Sequence, residues 1–445
     1  MAKSPSTQPL TLTFMSPSAP PVSGPPPARG IAYRHRVLGL LFLLAMVTYL
    51  DRVCISVGGT TIQKELGLSS EHWGWVLGAF SLSYGIFEIP SGVLGDRLGP
   101  RRVLTRIVAW WSAFTALTGL VSGFWSLIAT RFCFGAGEAG AFPNAAAAIQ
   151  RWFPPRERAG AQGIVWMASR IGAAISPAVV LWLHAAVGWR TTFVLFGCLG
   201  VFWAAAWHFW FRDSPLEKTG VSREEIALIG PCATSAAHGD HNGGGMLKQT
   251  HLWWVMLMYF LYSWTGCFFL SWLPTFLENA RGFSKADLVA WSWLPFLFGG
   301  IANFVGGVAS DRLTRKIGLA WGRRGIGLVG LLCTAFFTGA AAFTQDKGWT
   351  ILFLALGYAG SDFMMPVAWG ACLDIGGRHA GFVSGAMNMA GQAAGFLSSV
   401  SFGYIVKMTG NNWNAPLLPM VVAAFLAAFC WLRIDASRPL SAPGQ

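Results

Sequence analysis

An all-α integral membrane fold of about twelve helical spans is predicted by three observations on the 445-residue sequence. Only 11% of its residues are charged against 54% that are hydrophobic, where a soluble domain carries about 25% charged residues. Apolar windows long enough to cross about 30 Å of hydrocarbon as helices recur from one end to the other. No strand-like alternation competes with them.

In chain order the windows are Val37–Val57, Trp73–Leu94, Val103–Val121, Trp125–Ala147, Ala161–His184 and Thr192–Phe211, then Leu252–Leu277, Leu288–Ala309, Ile326–Phe343, Trp349–Ala371, Phe382–Ile405 and Leu417–Leu432. Pro143, Pro177, Pro274, Pro295 and Pro366 fall inside them and predict kinked, closely packed helices. Residues 1–33 are rich in Pro and Ser and lack the apolar core of a cleavable signal peptide. A disordered tail is expected there, with the first span directing insertion. The first set of spans occupies 34–211 and the second 251–433, with a short tail at 434–445. Between the sets, 212–250 reads as a polar linker with one short surface helix near Arg223-Glu224-Glu225.

The net charge of +13 would point to nucleic acid in a soluble protein. Here most of the 32 Lys and Arg residues fall on the side that holds both termini, so the excess reads as a topology signal and that side as cytoplasmic. Nucleic acid is excluded as a partner, and the lipid bilayer takes its place. Cys54, Cys133, Cys198, Cys267, Cys333, Cys372 and Cys430 lie in apolar spans and Cys232 in the linker, with no C-x-x-C spacing. No metal or other cofactor is expected. Trp73, Trp125, Trp189, Trp349 and Trp413 sit near span ends, as interfacial anchors do.

An internal repeat divides the chain. Gly92-Val-Leu-Gly-Asp96-Arg97-Leu-Gly99-Pro-Arg101-Arg102 follows the second span, and Gly307-Val-Ala-Ser-Asp311-Arg312-Leu-Thr-Arg315-Lys316 follows the eighth. The glycine admits a neighbouring helix, the Asp-Arg pair suits a helix end, and the trailing cations hold the turn at the surface. On these residues the chain resembles the major facilitator superfamily. That resemblance implies two six-helix bundles around a central cavity that opens alternately to each side.

Ionised groups inside hydrocarbon mark functional sites by default. Asp51-Arg52 stands in an otherwise uncharged first span, after Tyr49. The fourth span carries Arg131-Phe-Cys-Phe-Gly135-Ala-Gly137-Glu138-Ala-Gly140-Ala-Phe-Pro143. Seven residues at 100° leave Arg131 and Glu138 about 20° apart on one face, roughly 10 Å apart along the axis. A compact Asp/Arg/Arg/Glu cluster is therefore expected. Gly135 to Gly140 also spells G-x-G-x-x-G, but it lies mid-span without the strand and free helix terminus a dinucleotide needs, so the glycines are read as helix contacts. Glu88, near the end of the second span, is read as bracing the Asp96 loop.

Tyr49-x-Asp51-Arg52 together with the Arg131 to Pro143 segment resembles the anion:cation symporter branch of the superfamily, whose members carry hexuronates, other sugar acids and aromatic acids. The resemblance implies Asp51 and Glu138 as proton-coupling carboxylates and Arg52 as the contact for the substrate anion. Arg131 would pair with the acids and also reach substrate. Tyr49, Tyr84, Trp369 and Gln392 match cavity positions, and Asn388 shares a face with Gln392 at i, i+4. Asp362 is an acid beyond the family pattern, and Met365-Pro366 replaces small polar residues. Asp362 is open to a coupling, substrate or gating role. Arg170 is expected to face the cytoplasmic vestibule or to snorkel toward the interface.

The expected function is proton-coupled symport of a small organic anion, a sugar acid such as a hexuronate or aldonate, by a monomer in a bacterial inner membrane. Sodium stays open as the coupling ion. The rival within the fold is an organic phosphate or anion exchanger, which would rely on paired arginines without protonatable acids. A transport-dead sensor would want a larger output domain than the linker provides. An enzyme is excluded by the lack of a nucleophile–base pair or metal spacing.

Overall fold

The computed structural model describes residues 32–68, 70–230, 243–410 and 412–440. The expected tail up to residue 31, Cys232 and the chain end beyond 440 lie outside the described residues. Among those described there are helices and no strand, and twelve passes form two six-helix bundles, as the fold class predicts.

The first bundle holds α1 (Tyr33–Val57), α3 (Ser70–Leu98), α4 (Pro100–Thr118), the pair α5 (Phe124–Glu138) and α6 (Ala141–Trp152), and α7 (Arg158–Trp210); α2 (Gly59–Leu66) follows α1 as a short corner. Two passes share α7, because the chain turns at Gly188 (φ 80°, ψ 162°) without a loop. After α8 (Arg223–Ile229), the second bundle holds α9 (Thr250–Ser271), α12 (Leu294–Ile317), α13 (Leu319–Phe343), α14 (Lys347–Gly376), α15 (Ala380–Met408) and α16 (Leu417–Arg433). Short helices α10 (Leu273–Arg281) and α11 (Lys285–Trp291) join α9 to α12.

By length and hydropathy alone, six described helical stretches qualify as spans. The other passes are interrupted, short or polar. The fourth is the informative case. The sequence reads it as one helix from Trp125 to Ala147, whereas α5 stops at Glu138, Ala139 is extended and Gly140 is left-handed (φ 84°) before α6 begins. Residues with a Cβ rarely adopt that conformation, so Gly140 makes the hinge and does not merely admit a neighbour. The hinge places Glu138 at a helix end instead of mid-helix.

The bundles meet where α3 packs on α15 and α7 on α12. Gly92 allows the first contact, since a Cβ there would lie 2.2 Å from the Gly381 carbonyl oxygen. The linker helix α8 is capped by Ser222 Oγ, which accepts from Glu225 N–H at 3.1 Å. Glu225 in turn accepts from the N–H groups of Tyr33 (3.2 Å) and Arg34 (2.9 Å) at the start of α1. Carboxylates favour helix N-termini, so this contact moors the linker to the first span.

Candidate functional site

A cavity of about 180 Å³ lies between the bundles, walled by Tyr49 and Arg52 of α1, Tyr84 of α3, Arg170 of α7, Tyr259 and Tyr262 of α9, Tyr358 of α14 and Asn388 and Gln392 of α15. Phe142 and Trp166 stack at 4.5 Å on the same wall, with Trp369 behind them at 5.3 Å from Trp166. Trp369 itself is fully buried and donates its indole N–H to the Tyr259 hydroxyl at 3.2 Å.

Arg52 occupies an aromatic box. Its guanidinium carbon lies 4.7 Å from the Tyr84 ring centre, 5.5 Å from Tyr49, 5.4 Å from Phe80 and 5.9 Å from Phe142. Cation–π attraction holds the charge without neutralising it. Its Nε donates to Glu138 Oε1 at 2.6 Å, and the side chain keeps 20% exposure toward the cavity. The second Glu138 oxygen and Arg52 Nη2 have no protein partner.

Asp51, the neighbouring residue, points the other way into the first bundle. It is 2% exposed, and beside its carboxylate lie Glu138, Arg131 and the Trp111 indole, with no well-formed hydrogen bond to either oxygen. Arg131 stacks on Phe134 (4.4 Å) and Phe80 (5.1 Å) and makes no ion pair within 4.0 Å among the described residues. The structure thus brings Asp51, Arg52, Arg131 and Glu138 together, with Arg52 and not Arg131 bonded to the acid. Arg131 is buried behind the cavity wall.

Besides Arg131, two positions differ from their sequence readings. Arg170 does not snorkel: it lies at mid-span on the wall of the cavity between the bundles, largely buried, and forms a fork with Asp362, Nε to Oδ2 and Nη2 to Oδ1, both 2.9 Å. Helix α7 belongs to the first bundle and α14 to the second, so the pair spans their interface. Glu88 does not brace the Asp96 turn; its Oε1 accepts from Asn388 Nδ2 across the same interface at 2.9 Å. A buried carboxylate takes whatever donor its neighbour offers, and sequence spacing does not reveal a neighbour 300 residues away.

The repeated motifs sit at one end of the bundles, hereafter the motif end. Asp96 accepts from the N–H groups of Gly381 and Phe382 at the start of α15, both 2.8 Å. Asp311 accepts from Ala159 (3.3 Å) and Gly160 (2.5 Å) at the start of α7. Each bundle thereby caps a helix of the other. The second cap has an ionic layer: Arg323 bridges Asp311 (2.9 Å) and Asp374 (3.1 Å), and Asp374 also accepts from Arg158 at 2.8 Å. Neither Arg158 nor Arg323 stands out in the sequence, because both look like ordinary cations at span ends. Arg101 donates its backbone N–H to Asp213 at 2.9 Å, and burial raises that carboxyl above its ordinary range. Arg97, Arg102 and Arg312 are exposed.

The Major Facilitator Superfamily model matches residues 41–399. The chain belongs to that superfamily and is a multi-pass membrane transporter, not an enzyme. It is 36% identical over 422 residues to a probable sulfoacetate transporter of Cupriavidus necator, across 93% of this chain and 97% of that one. It is 31% identical over 400 residues to a probable L-galactonate transporter of Escherichia coli, covering 88% of each. Among solved structures it is similar to the human organic anion transporter MFSD10 (TM-score 0.68, 16% identity, 89% of this chain and 99% of that one). A proton:xylose symporter gives a TM-score of 0.71 at 17% identity over 92% of this chain and 98% of that one. At those identities the structural likeness is one of fold.

Proposed function

We propose that the chain imports a small organic anion together with protons, as a monomer in the bacterial inner membrane with its motif end and both termini cytoplasmic. The substrate class is that of sugar acids such as hexuronates and aldonates and of the short acids its relatives are named for. The observation that carries this reading is the single 2.6 Å contact between Arg52 and Glu138 at the cavity wall.

An incoming carboxylate or sulfonate competes with Glu138 for Arg52. Once displaced, Glu138 is a buried anion that has lost its hydrogen-bonded cation and keeps only the more distant Arg131, and removing one member of a buried pair costs about 3–5 kcal/mol. A proton removes that cost. Proton and anion therefore favour one another's binding by equal amounts. Asp51, buried without an ion pair beside Arg131, is the second proton-binding group and serves the same cycle from behind the wall. The caps at the motif end then open as the bundles rock.

The test is uptake into proteoliposomes of labelled galactonate, glucuronate and sulfoacetate, with and without an imposed inward proton gradient in sodium-free buffer. Accumulation of at least one acid above equilibrium, collapsed by a protonophore, is expected. Uptake that is indifferent to the pH gradient and needs a counter-anion inside would overturn proton symport.

A further inference from the structure

We infer that Arg170 is a second anion subsite and that the substrate is a compact acid with an anionic group at each end, one bound at Arg52 and the other at Arg170 in place of Asp362. This rests on the reading of the cavity as an anion-import site and goes beyond it, because it assigns the substrate two charges and Asp362 a proton.

Arg170 and Arg52 are the two guanidiniums on the cavity wall. Tyr49 lines the same cavity. Each arginine is held by a carboxylate from another helix, Glu138 in one case and Asp362 in the other. An arginine fork fits carboxylate, sulfonate and phosphate alike, so a substrate anion can take over the geometry Asp362 now occupies.

Between the two arginines the wall offers Tyr259, Tyr262, Ser263 and Gln392 as hydrogen-bonding groups beside the stacked rings of Phe142 and Trp166. Two cations on the wall of one small cavity match the two charged ends of a compact dianion, with these groups against its middle.

Charge balance follows. At rest the two pairs sum to zero. With a dianion bound, the two arginines offset its charge, and Glu138 and Asp362 each take one proton, while Asp51 passes its proton on and ends the loading step as it began. The groups facing Asp362 are Arg170 from α7, Tyr262 from α9 and Tyr358 on α14, while α12 presents Gly299. Among the described residues no other cation stands there to keep a displaced Asp362 ionised. The cargo is one dianion with two protons, and its movement carries no net charge.

The experiment compares sulfoacetate, with two anionic ends, and galactonate, with one, in proteoliposomes of the full chain. Wild-type protein is expected to take up sulfoacetate with the lower KM, at a rate unchanged by a potassium–valinomycin potential. The charge-neutral double variant Arg170→Gln/Asp362→Asn should raise KM for sulfoacetate about tenfold or more, the size of a lost charged contact, and that for galactonate far less. Asp362→Asn alone should make sulfoacetate uptake sensitive to potential, because one proton is lost. Where the double variant is not monodisperse, Arg170→Lys supplies the readout, since it keeps the charge but loses the fork. Equal effects on both probes, or none, would overturn the inference, as would wild-type uptake of galactonate without sulfoacetate. Gradient-driven uptake of neither probe nor glucuronate would instead overturn the import reading itself.

Discussion

The carboxylates of the motif end and those around the cavity are both drawn away from solvent, the latter more completely, and they are differently satisfied. Asp96 has two backbone donors, Asp311 two backbone donors and Arg323, and Asp374 two arginines. Around the cavity, Glu138 leaves one oxygen without a protein partner, and Asp51 has neither an ion pair nor a well-formed hydrogen bond among the described residues. Buried polar groups are normally matched, so the unmatched ones require a reason. Saturated carboxylates act as clamps whose strength depends on the helices staying together. Unsaturated ones retain room for a proton, which is what a coupling site needs.

The widest separation between the two classes is expected from Asp51→Asn/Glu138→Gln. Accumulation in proteoliposomes should fall to an inside-to-outside ratio of about one, because substrate and proton no longer share a linkage. Counterflow of labelled substrate should persist. Full gradient-driven accumulation in this variant would remove the distinction between the classes. Next in size is Arg52→Ala, where truncating a buried, hydrogen-bonded charge costs about 2–5 kcal/mol. KM should rise by a factor of about 30 or more, and an unchanged KM would move the anion contact to another residue.

The clamps should respond differently, and unequally. Asp311→Asn strips Arg323 of one of its two carboxylates and weakens the closed motif end by about 3 kcal/mol. Asp96→Asn loses charge from a helix cap without an arginine, for about 1 kcal/mol. Spin-label distances between the ends of α3 and α15 and of α7 and α12 should therefore show a larger open population in the first variant. Equal populations would mean that the ionic layer contributes nothing to closure.

Much of this contrast was legible in the sequence, though not all of it. Charge placed inside apolar spans picks out Asp51, Arg52, Arg131 and Glu138 because hydrocarbon makes such charges costly, and the Asp96/Asp311 repeat marks the motif end. The hinge at Gly140 was hidden, since Gly-Ala-Gly-Glu-Ala-Gly suits close helix packing as well as a break. Partners across the bundle interface were hidden as well. Arg170 with Asp362 and Glu88 with Asn388 are separated by 192 and 300 residues, and helical periodicity gives a residue's face but not the helix opposite it.

The smallest expected effect lies far from both regions and checks that ordinary surface contacts follow ordinary rules. Trp189, read from sequence as an interfacial anchor, is instead buried at the turn within α7, and its indole N–H donates to Glu65 Oε2 at 2.5 Å. Arg190 adds a second donor at 3.1 Å. These bonds, the indole first and the guanidinium second, hold the Glu65 carboxyl below its ordinary value of about 4.5. A depressed folded-state value means that the contribution to stability is present above the unfolded-state value and is lost as pH falls through the folded-state value. Glu65→Gln should therefore melt slightly below wild type near neutral pH, and the two curves should converge only in acid below about 4.5. A difference that persisted unchanged to lower pH would show that the contact acts through packing of the α2 corner and not through the carboxylate charge.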